Sequence, residues 1–206
     1  MSTGRRRGAG HFVRQVRLPE PTPRSYPYTL PAVAWLARSG TLDLAPGVTF
    51  LVGENGSGKS TLVEAIAVAA GINAEGGSQS FRFATRASES PLGRAIALSW
   101  GVEKPRTRFF LRAESYYNVA TEIERLDRDG APLLPAYGGA SPHERSHGES
   151  FLDLVVHRFG PRGLYLLDEP EAALSVGGCM ALLVRMADLV LQGSQFLVAT
   201  HSPVLL

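Results

Sequence analysis

The stretch GENGSGKS, Gly53 to Ser60, followed by Thr61, decides how the rest of this chain is read. A glycine, four residues, then glycine, lysine and a hydroxyl residue is the spacing of a phosphate-binding loop. Gly53, Gly56 and Gly58 allow tight turns, so that the loop, with Glu54, Asn55 and Ser57 among its members, can aim successive N–H groups at a triphosphate. A helix starting here would add its positive dipole end to the same anion. Lys59 then reaches the β- and γ-phosphates, Ser60 holds Mg²⁺, and Thr61 completes the loop-to-helix junction.

The flanking sequence tests this reading against a plain glycine-rich surface turn. Upstream, VTFLV from Val48 to Val52 is apolar and β-branched, as a buried parallel strand is. Downstream, TLVEAIAVAA from Thr61 to Ala70 is rich in helix formers and stops at Gly71. Strand, loop and helix therefore stand in the order that phosphate binding requires.

At 206 residues the chain can bury one sizeable core. Hydrophobic content of 44% and charged content of 19% are ordinary for a globular protein. A net charge of +2 is too small to announce nucleic-acid binding, so that partner stays open but unsupported by composition. Lysine occurs only at Lys59 and Lys104; the other basic residues are arginine. One cysteine, Cys179, excludes an internal disulfide and suits a reducing cytoplasm. No apolar run is long enough for a membrane span, and no signal-type core opens the chain. A cytoplasmic protein without membrane insertion is expected.

Residues 1–25 read as a basic, flexible segment, within which Phe12, Val13, Val16 and Leu18 could form one short strand. The Arg5 to Arg7 cluster could touch nucleic acid or lipid, but a solvated tail accounts for it as well. From residue 26 onward an ATPase-type domain is expected. Of the aromatics upstream of the loop, Tyr26, Tyr28 and Trp35, Tyr28 is chosen as the ring that stacks on adenine. A short helix is expected over Leu30 to Ala37 and a strand over Thr41 to Leu44. Residues 72–145 read as an inserted antiparallel and helical lobe. It holds strands over Arg94 to Trp100 and Thr107 to Arg112, with IALSW and RFFLR their clearest parts, a helix over Tyr116 to Leu126, and a loop over Asp127 to Ser141.

Three further features carry chemistry. SHGES, Ser146 to Ser150, precedes an apolar helix; Ser146 can cap it and Gly148 can let an anion approach its start, although on its own the motif is better explained as a plain helix cap. LYLLDEP, Leu164 to Pro170, is a buried strand ending in two carboxylates at the edge where open α/β sheets bind ligands. Asp168 can hold Mg²⁺, while Glu169 can take a proton from water attacking the γ-phosphate. After a helix expected over Gly178 to Leu191, the strand Gln195 to Ala199 leads to His201, whose ring can hydrogen-bond a γ-phosphate.

Together these residues resemble the ATPase head of the ATP-binding-cassette (ABC) superfamily: GENGSGKS the Walker A loop, LYLLDEP the Walker B strand, ATHS the switch-histidine loop, and SHGES the signature motif. The runs SHGESFLDL, GLYLLDEPEAALS and GSQFLVATHSPVLL are more closely similar to small stand-alone bacterial ATPases of the AAA family (AAA_21-like). The resemblance covers Tyr26 to Leu206. It implies an α/β P-loop NTPase fold with a mostly parallel core sheet, MgATP as ligand, Glu169 and His201 as catalytic groups, and a head-to-tail homodimer with two ATPs between protomers. In that arrangement Ser146 and Gly148 would meet the partner's nucleotide. The chain departs from the family at Ala172 to Ser175, which lacks the D-loop aspartate. Gln79 and Glu114 compete for the Q-loop position, and the resemblance leads one to expect further strands after His201. An ATP-gated switch with little turnover, or the ATP subunit of a transporter, are the alternatives to a soluble ATP hydrolase.

Overall fold

The computed structural model describes residues 10–19, 23–73, 77–78, 91–114, 116 and 147–206. Along the chain come β1 (Val13–Arg17), α1 (Pro31–Ser39), β2 (Thr41–Asp43), β3 (Val48–Val52), α2 (Lys59–Ala69), β4 (Gly77–Ser78), α3 (Pro91–Ala95) and β5 (Ala97–Trp100). They are followed by β6 (Thr107–Arg112), α4 (His147–Arg158), β7 (Gly163–Asp168), a 3-10 turn (Pro170–Ala173), α5 (Val176–Leu191) and β8 (Gln195–Thr200).

The apolar runs assemble into one five-stranded sheet ordered β3-β8-β7-β6-β4, in which β7 and β8 are buried throughout, whereas β3, expected to be buried, is half-buried at the edge with Val52 exposed. The first four strands are parallel, and β4 pairs antiparallel at the edge. Register brings their C-terminal ends level: Val52 lies opposite Thr200, and Asp168 opposite both Ala199 and Arg112. A second, antiparallel sheet has the order β2-β1-β5.

Strand periodicity decides what covers each face, because successive side chains point to opposite sides. Phe110, Leu164, Leu166, Leu197 and Ala199 join a core with Leu62, Val63 and Ile66 of α2, Val33 and Leu36 of α1, and Val13 and Val16 of β1. Their neighbours Phe109, Leu111, Tyr165, Leu167, Phe196 and Val198 pack on the other side with Phe151 and Leu154 of α4 and Leu182, Met186 and Leu189 of α5. Phe159 stacks on Tyr165 with ring centroids 4.1 Å apart and planes 8° from parallel. Each such side chain contributes about 1.5–3 kcal/mol by leaving water, so the sheet is held from both faces.

One buried polar side chain joins the two sheets. Gln195, at the start of β8, is 1% exposed. Its Oε1 accepts from the Phe12 and Val13 N–H groups at 2.8 and 3.0 Å, and its Nε2 donates to the Val13 and Ala45 carbonyls at 2.9 and 3.1 Å. Every donor and acceptor of the amide thus has a use, which is the condition for burying it.

Two expected boundaries shift. The segment 1–25 is not wholly a flexible tail: Phe12, Val13, Val16 and Leu18 are buried, because β1 forms the middle of the antiparallel sheet and covers α1 and α2. Of the lobe expected over residues 72–145, the described strands join different sheets. β5 pairs with β1, and β6 lies inside the main sheet between β7 and β4. The antiparallel unit is therefore built from both the N-terminal and the middle part of the chain.

Helix limits follow local chemistry. α1 begins at Pro31, whose fixed φ suits the first helical position, and ends at Gly40, left-handed at φ 74° with its N–H on the Leu36 carbonyl. α5 begins at Val176 rather than Gly178, because the Ser175 hydroxyl caps it by accepting from the Gly178 N–H at 3.1 Å. Ser146, Gln79, the loop 127–141 and the expected helix 116–126, Tyr116 excepted, lie outside the described residues.

Candidate functional site

The loop between β3 and α2 is shaped by its glycines. Gly56 and Gly58 have φ of 79° and 90°, values that side-chain-bearing residues rarely adopt. Gly58 has a second reason to be glycine, since a Cβ there would lie 2.8 Å from Leu30 Cβ. α1 anchors the loop from outside, the Ala32 N–H donating to the Ser57 carbonyl at 2.9 Å. Lys59 opens α2 and is 5% exposed. Its Nζ folds back to donate to the Gly53 and Glu54 carbonyls at 2.7 and 2.9 Å, which leaves one of the three ammonium donors for an anion. The first amides of α2 have no intrahelical acceptor, so the ammonium and the helix end offer donors together.

A cleft of about 340 Å³ lies over this loop, lined among others by Asn55, Gly56, Gly58, Lys59, Ser60 and Thr61. From other parts of the chain it takes Tyr26, Leu30, Glu114 and Glu169. Of the upstream rings, Tyr26 rather than Tyr28 lines this cleft. Tyr28 packs against the core, whereas Tyr26 is 74% exposed at the cleft. The two rings differ in burial, which the sequence could not rank. Glu114, one of the two Q-loop candidates, follows β6 and reaches the cleft.

Asp168 ends β7 and is 2% exposed. Arg112, at the matching end of β6, donates Nε to its Oδ2 at 2.7 Å and a terminal nitrogen to Glu64 of α2 at 3.0 Å. Burial alone would lower the Arg112 guanidinium, but the two carboxylates outweigh it and hold it above its ordinary value. Asp168 Oδ1 is buried and has no hydrogen-bond partner among the described residues. Arg112 and Glu64 were missed in the sequence. The available signal was register: a charge at the end of the strand beside an acidic strand end.

Glu169 follows in a left-handed backbone, φ 48° and ψ 51°, with its N–H on the Ala199 carbonyl at 2.9 Å. That turn directs the chain away from β7 just after Asp168, so the two adjacent acids occupy different surroundings. His201 leaves β8 beside it, with Nδ1 3.5 Å from Glu169 Oε1 and 3.5 Å from Glu171 Oε1. The structure thus brings together the loop, Glu169 and His201. α4 starts elsewhere: it packs on α5 and the 3-10 turn, and a Cβ at Gly148 would lie 3.2 Å from the Ala173 carbonyl oxygen.

The donor set fits a phosphate-bound divalent cation. An unpartnered buried carboxylate oxygen on Asp168 and the Ser60 hydroxyl are hard oxygen ligands. Among the described residues no three His, Cys, Asp or Glu cluster to cage a metal. An ion held here takes its remaining ligands from phosphate and water, as Mg²⁺ commonly does.

A phosphate loop, an acidic strand end and a histidine strand end on one edge of a parallel sheet define a P-loop ATPase of the ABC and AAA type. The chain belongs to the AAA domain family, whose model matches residues 26–130. It is also similar to the cytochrome c biogenesis ATP-binding export protein CcmA of Rhodopseudomonas palustris (strain BisB5), 34% identical over 161 residues, which cover 74% of this chain and 77% of that protein. Among the described residues no helix is long and apolar enough to cross a membrane.

Proposed function

We propose that this chain binds MgATP in the loop cleft and hydrolyses it to ADP and phosphate, in an ATP-dependent head-to-tail homodimer. The observation that carries the reading is that Glu169 lines the same cleft as Lys59 and Ser60, with His201 at its side. Gly53 to Thr61 cradle the phosphates through backbone N–H groups, and Lys59 supplies the cation facing the β- and γ-phosphates. Asp168 and Ser60 hold Mg²⁺, which neutralises phosphate charge when bound. Glu169 accepts the proton of the attacking water, and His201 hydrogen-bonds the γ-phosphate. Tyr26 stacks on the base.

The homodimer rests on the resemblance of SHGES to the signature motif of the ABC superfamily. On this reading Ser146 and the Gly148 N–H, at the start of α4, serve the nucleotide of a second chain. Glu169→Gln is expected to bind MgATP, to lose at least about a hundredfold in turnover, and to shift from monomer to dimer in light scattering. Gly148→Asp added to it is expected to abolish the shift with monomer affinity kept. A Glu169→Gln protein that stays monomeric with MgATP at high concentration refutes the two-chain site.

The printed name of the similar protein favours a second reading, an ATP subunit docked on a membrane exporter. Co-purification with a membrane protein would distinguish it, and stimulation of turnover by DNA would point to nucleic acid instead.

A further inference from the structure

The histidine loop is held by a carboxylate that has no part in the reading above. Glu171, in the 3-10 turn two residues beyond Glu169, places Oε1 where it accepts from Thr200 Oγ1 at 2.6 Å, the His201 N–H at 3.0 Å and the Ser202 N–H at 3.2 Å. The same oxygen lies 3.5 Å from His201 Nδ1. Its side chain is 10% exposed, so these bonds form largely out of water, where a charged acceptor is strongest. Thr200 Oγ1 in turn accepts from the Ser202 N–H at 3.0 Å. One carboxylate therefore collects the whole bend by which β8 ends and His201 leaves the sheet.

We propose that Glu171 is the positioning residue for His201. It fixes residues 200–202 and draws the Nδ1 edge of the imidazole toward the carboxylates, which leaves Nε2 on the opposite edge of the ring for a phosphate oxygen. The distance from Glu169 Oε1 to the same Nδ1, 3.5 Å, places the ring between the two acids. Through this contact the acidic turn after β7 and the histidine turn after β8 move as one unit. The bland account, that Glu171 merely closes a surface bend, predicts no effect on turnover beyond loss of stability. The functional half of the inference rests on His201 meeting the γ-phosphate.

The test separates the loop contact from that role. In nucleotide-free protein, Glu171→Ala is expected to speed amide hydrogen exchange at His201 and Ser202 at least about tenfold, as loss of charge-assisted bonds should, while the centre of β8 stays protected. With MgATP, kcat should fall at least about tenfold while nucleotide affinity changes less than about threefold. Glu171→Gln keeps a carbonyl oxygen in place and should restore most of the protection and part of kcat. The Glu171→Ala, His201→Ala double variant should turn over no more slowly than His201→Ala alone, because both remove one coupled contact. Unchanged exchange at residues 201 and 202, or a double variant slower by the full Glu171→Ala factor, overturns the proposal. Wild-type turnover in His201→Ala would instead sink the role of His201 and leave exchange to judge the contact. Should Glu171→Ala not fold, Glu171→Gln serves alone through turnover: protection close to wild type with kcat reduced supports the proposal, and wild-type kcat refutes it.

Discussion

Replacing Gln195 with leucine removes the amide that joins the antiparallel sheet to the main one. Leucine has similar bulk, so little cavity opens, and the cost falls on backbone groups of β1. The Phe12 N–H, Val13 N–H and Val13 carbonyl each lose a buried partner, whereas the carbonyl of exposed Ala45 turns to water. A buried group left unsatisfied costs about 1–3 kcal/mol. Three such groups, less about 1 kcal/mol for the more apolar side chain, give a loss of about 2–8 kcal/mol. Against a total stability on the order of 5–15 kcal/mol, that is a large fraction. Urea titration followed by fluorescence would report it, because Trp100 sits on β5 opposite Val13. We expect a lower midpoint, with the Trp100 signal moving before far-ultraviolet circular dichroism if the antiparallel sheet detaches first. A loss below about 1 kcal/mol with coincident transitions would refute the claim that this side chain joins the sheets.

Lys59→Ala should abolish ATP binding in isothermal titration, since it removes the cation at the loop; undiminished affinity would remove the loop from the nucleotide site. Tyr26→Ala should weaken ATP binding about tenfold, within the roughly 1–3 kcal/mol of a base stacked on an aromatic ring. Tyr28→Ala should instead lower thermal stability with affinity retained, and the reverse pattern would return the stacking role to Tyr28.

The main sheet was legible because its strands are short apolar runs ending in chemically marked turns. Val48 to Val52, Leu164 to Asp168 and Gln195 to Ala199 each end in a glycine loop, an acid pair or a histidine, and register places those ends side by side. The antiparallel sheet was hidden because β1 and β5 pair across more than eighty residues of sequence, a contact that no local pattern announces. Gln195, the amide that ties it to the main sheet, reads in sequence as an ordinary strand start. Glu171 was missed for a related reason: its partners lie on β8, and only the 3-10 turn brings its carboxylate to them. Tyr28 and Tyr26 could not be ranked from sequence because two aromatics two residues apart differ in exposure, which is a tertiary property.

Glu169 also sets a conflict between durability and chemistry. A left-handed backbone at a residue with a Cβ costs about 1–2 kcal/mol, and glycine would carry no such cost. After allowance for the greater freedom of glycine in the unfolded chain, Glu169→Gly should gain at most about 1 kcal/mol, or about 2–4 °C in Tm. It would do so by deleting the proposed base. Selection for heat resistance alone would therefore drive this position toward an inert protein, and any stabilised version of the enzyme has to find its gains elsewhere in the fold.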